Sequence, residues 1–208
     1  MSSAVTHLED YDTEERFKAI VVESERITPE ASDAEVRELT LSPGTKEFGQ
    51  EHHFRLYSVA DLPDPGRSGL PRIKIAVRRV SYVDKYSGEQ YPGVSSNYLC
   101  DLVTGDIVTM AGPYGLAFEV PEEMDANLIL IGTGTGIAPF RAFVKHLYKN
   151  VPEWKGTITL FHGARSGLEL LYMNDERDDF AQYYDSATFE AFKALSPRPS
   201  WAAPIDWK

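Results

Sequence analysis

Eight consecutive residues, Gly132-Thr133-Gly134-Thr135-Gly136-Ile137-Ala138-Pro139, have the composition of a phosphate-binding turn. Glycines let a backbone approach an anion closely, and the unpaired N–H groups of a helix starting there favour negative charge. The spacing is not G-x-G-x-x-G, so an ordinary Rossmann assignment does not follow. On glycine content alone, a tight structural turn fits as well as a dinucleotide site. In the first half, Arg55-Leu56-Tyr57-Ser58 places Arg55 and Tyr57 on one face of an extended segment. A guanidinium can fork onto a phosphate, a phenol ring can stack, and Ser58 can hydrogen-bond a ring heteroatom. Taken alone, the same residues fit a surface Arg beside a core Tyr better than a binding site. Ser95, Ser96 and Asn97, after Gly93, offer hydroxyls and N–H groups to phosphates, or simply cap a short helix over 98–102.

Other polar residues carry less chemistry. His52 and His53 are adjacent and so point to opposite faces of a strand, a poor chelate. Glu122-Glu123 and the run Asp175-Glu176-Arg177-Asp178-Asp179 read as solvated faces. Cys100 lies in an apolar helical context and is expected to be packed, not reactive. No metal-ligand set is visible.

The elements that must position these residues change character along the chain. Strands are predicted over 17–24, 35–41, 54–60, 72–78 and 105–110, with Gly and Pro between them. Ile73, Ile75 and Val77 share one face. Several short strands with little helix predict an antiparallel barrel or sandwich. After Pro121 the pattern becomes strand, helix, strand. Asn127–Gly132 is an unbroken apolar run, as in a parallel strand buried on both faces. Pro139 suits the first position of a helix running through Tyr148. A second apolar strand covers 157–163, a helical stretch is predicted around 168–184, and 189–195 fits a strand or a helical turn. The first half is therefore β and the second α/β, with the boundary near 118–126.

Composition narrows the class. The 208 residues carry 21 basic and 32 acidic side chains, net −11, which argues against a nucleic-acid-coating role. Residues 1–53 hold 13 acids and 5 bases, whereas 54–120 hold 7 of each, leaving the middle as the least repulsive ground for an anionic ligand or acidic partner. No apolar run is long enough to span a membrane, and the N-terminus has no secretory pattern. A single cysteine excludes an intrachain disulfide and fits a reducing, cytoplasmic compartment.

Taken together, Arg55–Ser58, Gly93–Leu102, Gly112-Pro113-Tyr114-Gly115 and Gly132–Arg141 stand in the order and spacing of one family. Over about residues 17–196 the chain resembles the plant-type ferredoxin–NADP reductases. Composition gives an acidic mobile arm (1–16); the resemblance implies an antiparallel FAD-binding β-barrel (17–120) and a parallel-sheet α/β domain binding NADP(H) (121–208). It implies that Arg55 holds the FAD pyrophosphate, that Tyr57 stacks on the flavin, and that Ser58 sits catalytically beside flavin N5. Ser95, Ser96 and Asn97 would line the FAD phosphates, and Arg78 would contact adenine or NADP phosphates. Gly132, Gly134 and Gly136 would receive the NADP pyrophosphate, with Thr133 and Thr135 as hydroxyl donors. Ser196 and Arg198 would take the 2′-phosphate, although Pro197 alters the spacing there. The implied activity moves electrons between NADPH and a one-electron carrier such as ferredoxin. The alternatives are the reductase component of a multicomponent oxygenase, such as the benzoyl-CoA system, and a non-catalytic FAD-binding or subunit-interface module.

The chain departs from the family in two places. Relatives carry an additional strand with a Glu-Gly-Gln turn between the positions of Leu41 and Arg55. Here only Ser42–Gln50 fills the gap, so an open barrel with weakened FAD retention is expected. Relatives also continue past the position of Lys208 with further βα units, a Cys-Gly-Leu segment and a terminal aromatic over the flavin. A small second domain with exposed apolar faces is therefore expected. Because the cofactor motifs are undamaged, an excised or incomplete sequence is favoured over a natural remnant or a subunit completed by a partner.

Overall fold

The computed structural model describes residues 11–47, 54–64, 71–114, 118–184 and 186–196. Its elements, in chain order, are β1 (Arg16–Arg26), β2 (Val36–Glu47), β3 (Ile73–Arg78), β4 (Ser81–Val83), β5 (Gln90–Pro92), α1 (Val94–Asp101) and β6 (Ile107–Ala111). There follow β7 (Leu128–Thr133), α2 (Ile137–Asn150), β8 (Ile158–Ala164) and β9 (Phe189–Leu195).

The first half forms an open antiparallel sheet in the order β3-β2-β1-β6, with β4 and β5 as a separate hairpin. Alternation decides its inner face: Ala19, Val21, Leu39, Leu41, Ile75, Val77 and Val108 pack under Leu99, Cys100 and Leu102 of and just after α1. Segment 42–47, expected to be filler, instead prolongs β2, with Pro43 opposite Ala19 and Glu47 opposite Arg16. The strand expected over 54–60 does not form. Arg55, Leu56 and Ser58 are exposed, so no face demands a ladder, and the segment touches β3 through the Val59–Ile75 bridge and an Ala60 N–H bond of 2.7 Å to the Lys74 carbonyl.

The second half is a parallel sheet in the order β7-β8-β9, with α2 packed on one face through Ile137, Ala138, Phe143, Val144 and Leu147. Segment 189–195 is thus a strand, in register with β8 from Ile158–Phe189 onwards. The other face leaves Ile129, Ile131 and Phe192 exposed, so β7 is not buried on both faces as its apolar run predicts but has the open face expected of a small second domain, with Phe161 and Phe192 stacked at 5.1 Å. Pro139 is the third residue of α2, still within the first turn whose N–H groups lack helical partners.

The helix expected around 168–184 is replaced by two short 3-10 turns, Gly167–Glu169 and Ala181–Tyr183. Between them Leu170-Leu171-Tyr172-Met173 is a block of buried residues, not a helical stripe. Asn174 Oδ1 accepts from the N–H groups of Glu176 (3.0 Å) and Arg177 (2.9 Å), and Asp178 Oδ1 from that of Phe180 (3.1 Å). Such side-chain acceptors compete with the helical ladder and win here. Arg177 and Asp179, expected on a solvated face, are half-buried ion partners, whereas Asp175, Glu176, Glu122 and Glu123 are exposed.

The two halves share a core. Ile27, Val36, Ala60 and Ala76 from the first pack with Leu130, Ile137 and Ala138 from the second. Cys100 is buried, and burial pushes its thiol up to about 11. Roughly a thousandth of it would be thiolate at pH 8. Folded protein should therefore resist a thiol-specific disulfide reagent and react fully in urea; labelling of the native chain at the rate of a free thiol would contradict this packing.

Candidate functional site

A cleft of about 800 Å³ lies between the two halves. One wall is the exposed segment Arg55–Ser58. Tyr57 is anchored there, half-buried against the β3 and α1 cluster, and burial raises its phenol above the ordinary value. Arg55 is exposed and donates to the Phe54 carbonyl at 2.7 Å, a bond that solvent or a ligand can readily replace.

The second wall is the start of α1: Gly93, Val94, Ser95 and Ser96. Gly93 caps this helix with no side-chain bond, so the first-turn N–H groups have no capping oxygen. Ser95 Oγ is buried without a hydrogen-bond partner among the described residues. Ser96 Oγ makes long bonds of 3.4 Å, from the Val80 N–H and to the Gly93 carbonyl. Asn97 does not line this cleft. Its amide donates to the carbonyls of Gly93 (2.7 Å) and Val80 (2.8 Å) and accepts from Arg79 at 3.0 Å, bracing the turn from behind.

The third wall is the start of α2, with Thr135, Gly136, Ala138 and Pro139, again without a side-chain cap. Gly134 has φ +53°, a left-handed conformation that glycine takes without strain. A Cβ on Gly136 would meet nothing within 4 Å among the described residues, so the backbone there faces open space. Gly132 is buried behind the turn, and Thr133 is exposed on the open sheet face, away from the cleft. Arg78 reaches the turn from β3: its guanidinium lies 3.8 Å from where a Cβ on Gly134 would stand, and it pairs with Glu169 at 3.3 Å. Ser196 follows β9, donating its N–H to the Ala164 carbonyl at 2.9 Å, and it does not line the cleft. Arg198, with His52, His53, Gln50, Gly115 and residues 1–10 of the acidic arm, lies outside the described residues.

Sequence reasoning missed Val80 and Tyr82, which complete the cleft from the β4 hairpin. It also missed the ionic cluster that holds the walls together. Arg141 is buried and bonds Asp179 (2.5 Å), the Ala60 carbonyl (2.7 Å), Asp61 (3.0 Å) and Glu38 (3.5 Å). Glu38, on β2, is also reached by the Tyr172 hydroxyl (2.9 Å), Arg177 (3.1 Å) and Lys74 (3.1 Å). Burial alone would raise the Glu38 carboxyl, but the surrounding cations and the Tyr172 hydroxyl outweigh it and hold the pKa below the ordinary value. Asp61 and Asp179 are lowered in the same way. The only signal in the sequence was Arg141, an arginine on the apolar face of an amphipathic helix.

Residues 130–203 match the family model of the oxidoreductase NAD-binding domain. The chain is 37% identical over 138 residues to a cyanelle ferredoxin–NADP reductase of Cyanophora paradoxa, covering 65% of this chain and 38% of that protein. It is 38% identical to the ferredoxin–NADP reductase of Spirulina sp over 65% of this chain and 47% of the relative. For that of Thermosynechococcus vestitus the figures are 39% identity, 70% and 38%. The chain thus spans less than half the length of these relatives. Among solved structures, a ferredoxin–NADP+ reductase from Plasmodium falciparum superposes with a TM-score of 0.66 at 20% identity, over 91% of this chain and 74% of that one, a likeness of fold. A second structure of that reductase, with 2′P-AMP, gives 0.65 over 90% and 75%.

Proposed function

We propose, from the chain's similarity to ferredoxin–NADP reductases, that it belongs to the plant-type family of these enzymes and is an FAD-dependent oxidoreductase passing electrons between NADPH and a one-electron carrier protein such as ferredoxin. The observation that carries this reading is the convergence of two uncapped helix starts, α1 and α2, on one cleft that also presents Arg55 and Tyr57. Two helix N-termini and a guanidinium make an anion site, and a half-buried phenol makes a stacking platform.

The residues present fit FAD. The orphaned Ser95 Oγ and the first-turn N–H groups of α1 are donors awaiting phosphate oxygens, and Arg55 stands across the cleft to fork onto the same group. Tyr57 would hold the flavin face and Ser58 would hydrogen-bond its reacting edge. Bound FAD supplies the conversion of a two-electron donor into single electrons. Ser96 and Asn97 shape the turn beneath the phosphates. The Gly132–Gly136 turn with Thr135 would take the NADP pyrophosphate, steadied by Arg78. Thr133 would act only from the outer side, and Ser196, with Arg198, would reach the 2′-phosphate from the carboxyl end of the sheet. The reading includes a division at residue 120 between the FAD and NADP(H) units. The electrically neutral segment 54–120 would receive an acidic carrier. A reducing, cytoplasmic setting is consistent with the lone thiol of Cys100; no described helix is long and apolar enough to cross a membrane.

The test is anaerobic titration of FAD-loaded protein with NADPH. Loss of the flavin's visible absorbance is the expected result. Protein that stays colourless after FAD loading would refute the flavin site, and flavin left oxidised would support the non-catalytic FAD-binding alternative.

A further inference from the structure

His162 lies directly beneath the glycine turn. It sits near the carboxyl end of β8, with Gly132 as its ladder partner on one side and Lys193 on the other. Its side chain is fully buried, yet both ring nitrogens lack a hydrogen-bond partner among the described residues. An orphaned polar ring in a packed interior is costly, and such a group calls for an explanation. Burial first, with a contribution from Lys193, drops its pKa to about 4, so near neutral pH the ring is uncharged with one N–H to give. The backbone of Gly134 acts on the ring in the opposite direction, as a nearby carbonyl acceptor does, but the contact stops short of a formed hydrogen bond. That carbonyl already accepts from the Ile137 N–H and has a second lone pair free.

We infer that His162 is a positioning residue for the turn: its neutral imidazole donates to the Gly134 carbonyl when a dinucleotide phosphate seats on Thr135 and Gly136. The geometry follows from peptide planarity. In a trans peptide the C=O and the N–H of the next residue point in opposite directions. Fixing the Gly134 carbonyl inward therefore turns the Thr135 N–H outward, towards the cleft that Thr135 lines. Gly134 can be held this way because its left-handed backbone carries no Cβ penalty. Phosphate binding and the His162 bond then support each other, since each favours the same peptide orientation.

This inference rests on the nucleotide-site reading above, and one set of measurements separates the two. NADP+ affinity of the FAD-loaded chain is measured by calorimetry for wild type, His162→Leu and His162→Gln, alongside thermal melting. His162→Leu should weaken NADP+ binding roughly 3- to 10-fold, the worth of one neutral hydrogen bond, while its melting temperature stays level or rises because a buried orphan is removed. His162→Gln, which keeps an N–H donor, should recover part of the loss. The ring nitrogen resonances of wild type should show one N–H becoming hydrogen-bonded on NADP+ addition. Equal NADP+ affinity in wild type and His162→Leu overturns the inference alone, as does a loss accompanied by a lower melting temperature without rescue by glutamine. Failure of wild type to bind NADP+ overturns the nucleotide reading and the inference with it.

Discussion

Replacing Glu38 with alanine should destabilise the folded chain by about 3–5 kcal/mol, the usual result of removing one partner from a buried ion cluster. Glu38 is almost fully buried, and its carboxylate faces Arg141, Arg177 and Lys74. Without it, the 4%-exposed Arg141 side chain keeps Asp61 and Asp179, but its net surroundings lose a charge that water cannot replace. Tyr172 also depends on Glu38. It is held at φ 61°, a conformation costly for a bulky residue, with Arg141 4.5 Å and Arg177 5.1 Å from its ring centre. Loss of its hydroxyl acceptor leaves that backbone less well determined. Urea unfolding of both proteins measures the effect, and a loss below about 1 kcal/mol would show that the cluster relaxes around the gap.

The same cluster sets an acid limit. Glu38, Asp61 and Asp179 titrate lower in the folded chain than in the unfolded one. Their stabilisation is therefore complete above the unfolded carboxylate range, near pH 4, and is lost as pH falls through the lower folded values. Wild type and Glu38→Gln should accordingly converge in stability as the pH drops below about 4.

The second large effect concerns the cofactor. On the proposed reading, in which Arg55 would hold the FAD pyrophosphate, Arg55→Glu should abolish FAD retention, weakening affinity by about 100-fold or more, because it would remove charge-assisted bonds and substitute repulsion. Arg55 is exposed and lies outside both core clusters, so the fold should survive the change. The readout is flavin content after reconstitution, with melting temperature as the control for folding. Unchanged flavin content would reject the assignment of Arg55.

Much of the architecture was legible along the chain because alternation and apolar runs are local signals. β1, β3, β7 and β8 lie where period-two patterns or continuous apolar stretches put them. The glycine turn, Tyr57 and Ser95 were legible for a similar reason: glycines before a helix and small hydroxyls at a turn act through their own backbone. The exceptions are instructive. Segment 54–60 has strand-like residues, but Arg55, Leu56 and Ser58 stay exposed and it meets β3 through an isolated bridge in place of a ladder, and 168–184 has apolar residues whose neighbouring Asn and Asp side chains capture the backbone first.

The order of residues by itself therefore determined the two halves, their β and α/β characters, and the residue types able to meet phosphate and flavin. Tertiary structure alone decided which of those residues face one another. It set Asn97 behind the turn and Thr133 on the outer face, brought Arg78 onto Gly134, and buried His162 beneath it. It also joined Glu38 to Arg141 and Tyr172, residues 103 and 134 positions away. The physical reason is range. Periodicity and turn chemistry act over a few residues, whereas an ion cluster or an orphaned imidazole is defined only once distant segments exclude water from the same place.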